Sequence, residues 1–457
     1  MPTEGQADVV VAGGGVAGIC AAIASARAGA HTMLIEHSGW LGGIAITGAT
    51  GLHTFYNIYG AWPGAPRRKL VGGIAQELVD RVREMGGGIG PATGGGHVEM
   101  ERGADFVSML TPVEPETFKL AAALMCRESG VKLLLHTTCE EADAASGELK
   151  ALRVWSKAGH RTIRGRVFVD CTGDCDLAAA AGAQYIHYKP GGPGAYSAGF
   201  TFRLCNVDLD ALTADLDRQG VLLQLAHALK PGMDRPEPVR IGINMRKLRD
   251  EGAGDAPYYF LSSSLRPREL TYCNCINFSD LDPLQPEDLT EAEVALRAQM
   301  FEVAEFFRTH FAGCGGCYPA GPAPAVGPRR ARAVRYDYEL AQQDVTSGAR
   351  FEDEIGLFGF IDNPTFRVKD AGAYGIPYRA LLPKGLDNLL VAGRMMTADL
   401  VAHNSTRNTV CCMICGQAAG TAAAMAAKAR GSAREVNTER LRKALLEADV
   451  MLEPREE

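Results

Sequence analysis

Residues 8–43 read DVVVAGGGVAGICAAIASARAGAHTMLIEHSGWLGG, and the fold is decided here. Asp8–Ala12 is a short β-branched run of the kind that forms a fully buried parallel strand. Gly13, Gly15 and Gly18 follow in the G-x-G-x-x-G spacing. Small residues from Val16 to Ala28 then predict a helix that Gly29 ends, and His31–Glu36 reads as a second strand. In that setting Gly13 permits the tight turn, Gly15 lets the backbone approach a pyrophosphate, and Gly18 lets the helix pack close to the strand. Val16 and Ala17 open the helix, where unpaired N–H groups and the helix dipole favour an anion. Glu36, at the end of the second strand with His37 beside it, is positioned to accept hydrogen bonds from ribose hydroxyls. An acid there disfavours a 2′-phosphate. The expected fold class is α/β, with a Rossmann-like parallel sheet.

Working outward, Glu36 is followed by HSGWLGG, which ends in the pair Gly42-Gly43. RVFVDCTGD (Arg166–Asp174) is a strand that ends in a T-G-D turn, and LDNLLVAGR (Leu386–Arg394) is a strand that ends at Gly393. GQAAG (Gly416–Gly420) lies in a later helix. Together these segments resemble FAD-dependent oxidoreductases of the glutathione-reductase-like superfamily, the flavoproteins with two dinucleotide-binding domains. The likeness is to the FAD_oxidored-type subgroup and extends from residue 8 to residue 420. It implies FAD as cofactor and a β-meander on the parallel sheet, with an inserted α+β substrate domain. It also implies that Gly42 and Gly43 approach the pyrophosphate side, and that the backbone near Cys139 contacts the adenine. Thr172, Gly173, Asp174, Gly393 and Arg394 would sit beside the cofactor. The helix carrying Gly416, Gln417 and Ala418 would meet the flavin ring with its N-terminal end. The segment VGPRRAR (Val326–Arg332) departs from the family pattern, with Pro328 and Ala331 where an aliphatic and a hydroxyl residue are expected.

With 457 residues, the chain has room for two or three folding units at roughly 100–200 residues each. The expected FAD-binding domain is discontinuous, formed by residues 1–60, 115–185 and 383–435. Residues 61–114 and 186–382 are expected to form a substrate or cap domain, and 436–457 a C-terminal helix. Within 61–114, the glycine clusters Gly86–Gly88 and Gly94–Gly96 flank a loop that reads as a surface segment or a lid. A composition of 46% hydrophobic and 22% charged residues excludes a disordered chain. A net charge of −7 without a basic stripe argues against nucleic acid as a partner. No apolar run is expected to reach the ~18 residues of a membrane span, and the first ten residues lack a basic and apolar leader pattern. The expected location is cytoplasmic. Thirteen cysteines, an odd number, read as buried free thiols, and no metal site is expected from Cys314/Cys317 or Cys411/Cys412/Cys415.

Only one dinucleotide fingerprint is present, and the early C-x4-C of disulfide reductases is absent, which argues against an NAD(P)H-fed disulfide reductase. The expected activity is FAD-dependent dehydrogenation of a small organic substrate by hydride transfer to the flavin. Electrons would pass to oxygen, a quinone or a carrier protein. The alternatives are a reductase of activated double bonds fed by an external donor, and a flavin electron-transfer subunit. Association into a homo-oligomer stays open. Two segments carry the candidate catalytic residues. His53 lies in Thr47–Tyr56, and His403, Asn404 and Arg407 lie in Asp399–Asn408. A histidine titrating near neutrality suits a general base, and Arg407 suits a substrate carboxylate or the charge on reduced flavin.

Overall fold

The computed structural model describes residues 5–48, 52–59, 62, 64–89, 101–102, 110–192, 197–254, 256–321, 325–363, 365–429 and 431–456. Strand β1 (Gln6–Ala12) passes through Gly13–Gly15 into helix α1 (Val16–Arg27), and strand β2 (Thr32–Ile35) returns parallel to it. Val9, Val10 and Val11 are fully buried, as a strand covered on both faces requires. Helix α2 (Pro115–Glu128) starts at Glu114, whose carboxylate accepts the Thr117 amide, and has proline at its first position. It leads into β3 (Lys132–Leu134), parallel to β2. Strands β4 (Thr138–Ala145), β5 (Glu148–Ser156) and β6 (Gly159–Asp170) form the expected meander. The end of β6 runs parallel to β1, and Leu389–Val391 adds a further parallel strand beside it. The sheet order is β3-β2-β1-β6-β5-β4, with Leu389–Val391 paired to β6.

The second sheet is antiparallel. Its strands are β7 (Phe202–Cys205), β8 (Leu222–Leu229), β9 (Pro236–Ile243), β10 (Phe260–Ser263), β11 (Glu269–Asn274) and β12 (Tyr318–Ala320), in the order β8-β9-β10-β11-β7-β12. Helix α3 (Pro286–His310) covers it with Leu296, Met300, Val303 and Phe307, the last ring meeting Phe260 at 4.7 Å between centroids. The core around the first sheet also takes in Ile74, Leu78, Tyr336, Ile355 and Tyr374, from segments expected to form the cap. The proposed lid segment lies largely outside the described residues.

Helix α4 (Leu400–Thr406) breaks at Arg407–Asn408, and α5 (Thr409–Ala429) then crosses the core. Its most apolar stretch has a mean hydropathy of 1.5, enough in length and composition to cross a membrane. This corrects the reading that no such run exists. The stretch is 94% buried inside the protein, packed against α1 as a core helix. A Cβ at Gly416 or Gly420 would stand 2.1 Å from the Ala17 carbonyl oxygen or 2.0 Å from that of Ala21. These two glycines, one turn apart, let the α1 and α5 backbones touch.

Candidate functional site

Strands β1, β6 and Leu389–Val391 end in register, since Ala12 faces Asp170 and Asp170 faces Val391. Their three following loops therefore emerge side by side at the carboxyl edge of the sheet, where an open α/β sheet forms its ligand crevice. A cavity of about 450 Å³ opens there.

The glycine loop forms one wall. Gly13 has φ of +97°, and a Cβ on it would lie 2.4 Å from the Cys171 carbonyl oxygen. A Cβ on Gly18 would lie 1.8 Å from the Gly13 oxygen, so this glycine serves helix–strand packing behind the cavity. Around a Cβ on Gly15 there is nothing within 4 Å, because that position faces the cavity. Gly15 begins α1 with no side-chain cap and no acid in the first turn, which leaves the helix N-terminus open to an anion.

Glu36 is 7% exposed and ties this wall together. Its Oε2 accepts the Gly14 amide at 2.6 Å, and its Oε1 accepts the Ser38 amide at 2.7 Å and the Ser38 hydroxyl at 2.6 Å. Burial would raise its carboxyl, but hydrogen bonds from His37 and Ser38 outweigh this and hold it below the usual carboxylate range. The opposite wall is the T-G-D turn. Asp170 lies beneath it, fully buried, accepting the Thr172 amide and hydroxyl on Oδ1 and the Ala178 amide on Oδ2. Burial pushes Asp170 up to about 6. Asp174 pairs with Arg394 at 2.7 Å, and the Arg332 Nε donates to the Asp174 carbonyl at 2.9 Å.

Three polar atoms of this lining are buried without a hydrogen-bond partner among the described residues: Asp174 Oδ1, Arg394 Nε and Thr409 Oγ1. Buried polar atoms are seldom left so, and these await a polar ligand. Together with the uncapped helix end, the glycine cradle and the carboxylate at Glu36, they fit a flavin dinucleotide.

The sequence matches the model of the FAD dependent oxidoreductase family over residues 8–445. The chain belongs to that family. No curated protein matches the sequence. Among solved structures, a geranylgeranyl bacteriochlorophyll reductase-like protein from Thermoplasma acidophilum is similar at 12% identity, over 97% of this chain and 84% of that one, with a TM-score of 0.47. The myxobacterial chondrochloren halogenase CndH is similar at 10% identity, over 96% and 78% of the two chains, with a TM-score of 0.46. GidA from Aquifex aeolicus is similar at 16% identity, over 94% and 64%, with a TM-score of 0.45.

In this FAD dependent oxidoreductase the cavity brings together Gly13, Gly15, Val16, Ala17, Glu36, His37, Gly43, Cys139, Thr172, Gly173, Asp174, Gly393, Arg394 and Arg407. Gly42 stands behind them, its amide donating to the Gly14 oxygen at 2.9 Å. Gly416, Gln417 and Ala418 do not reach the cavity, which corrects the expectation drawn from the resemblance. Gly416 is pressed on α1, Ala418 is fully buried, and the Gln417 Oε1 accepts the Ile74 amide at 2.9 Å. The N-terminal end of α5 does reach the cavity, through Thr409 and Cys412. The sequence reading missed these two, as it missed Ser38, Trp40, Thr47 and Asp176. Only Ser38, next to the ribose acid and bearing a hydroxyl, carried a local signal.

The catalytic candidates fare differently. His403 is fully buried and lines neither this cavity nor its neighbour. Burial, then Arg330, Arg407 and Arg394, drive its imidazole well below the ordinary histidine range. A general base must also reach the substrate, and His403 faces neither cavity. The assignment of His403 as general base is therefore corrected. His53 lies in the short strand Leu52–His53, and its side chain is outside the described residues. Asn404 is buried and accepts from Arg407 Nε at 3.3 Å, so it orients that guanidinium without lining the cavity. Arg407 is ion-paired with Asp362. It lines both the large cavity and a second of about 120 Å³, which share Ile44, Arg329, Arg407 and Thr409. Among the described residues no group of three His, Cys, Asp or Glu side chains could hold a metal ion. The thirteen cysteines are free.

Proposed function

We propose that FAD lies in the large cavity and that the protein dehydrogenates a small organic substrate held in the adjoining small one. The observation that carries this reading is the junction of the two cavities, one lined as a dinucleotide site and the other small and lined by Arg329, Asp362 and Arg407. The first turn of α1 would hold the pyrophosphate, Glu36 the ribose, and Thr409 with Cys412 the end that adjoins the substrate. FAD bound there supplies a two-electron acceptor. Asp362 is the one carboxylate lining the small cavity among the described residues, and it replaces His403 as the proton acceptor. In the oxidation of an H–C–O–H group to C=O, Asp362 would take the hydroxyl proton, and the bound cofactor would supply the acceptor for the two electrons and hydrogen lost from carbon. Arg407, held by Asp362 and Asn404, keeps that carboxylate in place and stabilises charge developing beside it.

The test is anaerobic bleaching of the protein's visible absorbance by panels of alcohols, amines and hydroxy acids, followed by oxygen or a quinone. The expected result is bleaching by one panel and return of colour on addition of the acceptor. A protein bleached only by dithionite, and then recoloured by an activated alkene, would instead be a reductase.

A further inference from the structure

We propose that the substrate is a small 2-hydroxycarboxylate, its carboxylate bound by Arg329. This rests on the reading of the two cavities just given and adds the substrate class. The argument is one of charge and of hydrogen-bond capacity. The groups lining the small cavity that can act on a polar ligand are Arg329, Arg407, Asp362, Asn274, Asn408 and Thr409. Arg407 and Asp362 form an ion pair and cancel. Arg329 has no carboxylate partner among the described residues. Its Nη1 donates to the Ser197 carbonyl at 3.2 Å and the Ser197 hydroxyl at 3.4 Å, and the guanidinium also bonds the Tyr259 hydroxyl. A guanidinium carries five N–H donors and does not lose its charge, so donors remain and the described residues lining the cavity keep a net charge of +1. A partly buried cation of that kind favours an anion beside it.

The amides divide the remaining work. Asn274 Oδ1 accepts the Tyr259 hydroxyl at 3.1 Å, which leaves the Asn274 NH₂ as a second donor near Arg329. Asn408 spends both amide protons on the Asn404 and Ser405 carbonyls, at 2.9 and 2.8 Å, which leaves its Oδ1 to accept. Donors for a carboxylate thus coexist with acceptors, Asn408 Oδ1 and Asp362, for a hydroxyl. At about 120 Å³ the cavity suits a compact ligand, and a 2-hydroxycarboxylate is the smallest that carries both functions. A monoanion neutralises the site, whereas a 2-amino acid zwitterion leaves it charged.

The experiment uses the FAD-loaded protein. Propionate and its neutral counterpart propionamide are titrated in, and the shift of the flavin bands is followed. Lactate and alanine are then compared as reductants under anaerobic conditions. The expected result is a saturable shift with propionate and none with propionamide, and bleaching by lactate but not by alanine. Arg329→Met should weaken propionate about tenfold or more, and Arg329→Lys by less, because it retains the charge but not the fork. Equal binding of propionamide, no shift with propionate, unchanged affinity in Arg329→Met, loss of FAD from that variant, or faster bleaching by alanine would each overturn the proposal. A protein that holds FAD and is bleached by neutral alcohols alone would leave the dehydrogenase reading standing and remove only the carboxylate. A protein that no compound reduces would remove both.

Discussion

The glycine loop at Gly13–Gly18 and the GQAAG stretch at Gly416–Gly420 look alike in sequence, two sets of closely spaced glycines in helical context. Their surroundings are opposite. Gly15 faces empty space in a cavity, while Gly416 and Gly420 are pressed on the backbone of α1. One glycine keeps room for a ligand, and the others bring two helices together so that the first can stand where it does. A glycine pattern thus reports a close backbone approach but does not say what approaches.

The comparison can be broken most directly at Gly416. Gly416→Val drives a branched side chain into the Ala17 carbonyl, and backbone cannot yield as a side-chain tip can. The variant should lose about 4 kcal/mol or more of stability, seen as a large fall in the denaturant midpoint. A stable, FAD-loaded Gly416→Val protein would show that α5 does not pack as described.

The next effect concerns the turn facing the glycine loop. The folded Asp170 pKa, pushed up to about 6, lies above its unfolded value of 3.8. The folded state therefore holds its proton more tightly, and this contribution is full below about pH 4 and lost as pH rises through 6. Across that window, on the order of 3 kcal/mol should shift against the wild type relative to Asp170→Asn. Denaturation of both proteins at several pH values from 4 to 7 measures it. A pH-independent difference would mean that Asp170 is not desolvated.

Glu36→Ala removes the proposed ribose acceptor and also frees the Gly14 and Ser38 amides. FAD should bind at least about tenfold more weakly, as read by equilibrium titration. Unaltered affinity would place the adenosine elsewhere. The smallest effect is expected at His403. His403→Asn should change the rate of flavin reduction by less than about threefold and leave its pH profile in place. A loss of roughly 10²-fold or more in stopped-flow reduction would restore the histidine as a base.

What could be read from the sequence follows the same division. Strand, turn, helix and ribose acid are contiguous from Asp8 to Glu36, so local sterics alone specify their geometry, and those residues line the cavity. The T-G-D turn was legible for the same reason, whereas the meander was expected from the family resemblance. Within the H-N-S-T-R cluster only Arg407 reaches the cavities, while the histidine and serine serve packing. Ser405 bonds Tyr374 at 2.7 Å and also the Phe360 carbonyl, and His403 is fully buried on the same short helix. Arg329 reaches its cavity through a segment that departs from the family pattern, and its partners Ser197 and Tyr259 lie far from it in the chain. No spacing rule could have joined them.

The claim at the centre of the account is that FAD lies against Gly15 at the start of α1. A Cβ there meets no protein atom within 4 Å, so Gly15→Val should fold as the wild type does and conflict only with the cofactor. The measurement is FAD content of the purified variant, with its circular dichroism and melting curve alongside. The account predicts a colourless protein with wild-type folding. Stoichiometric FAD in folded Gly15→Val would contradict it.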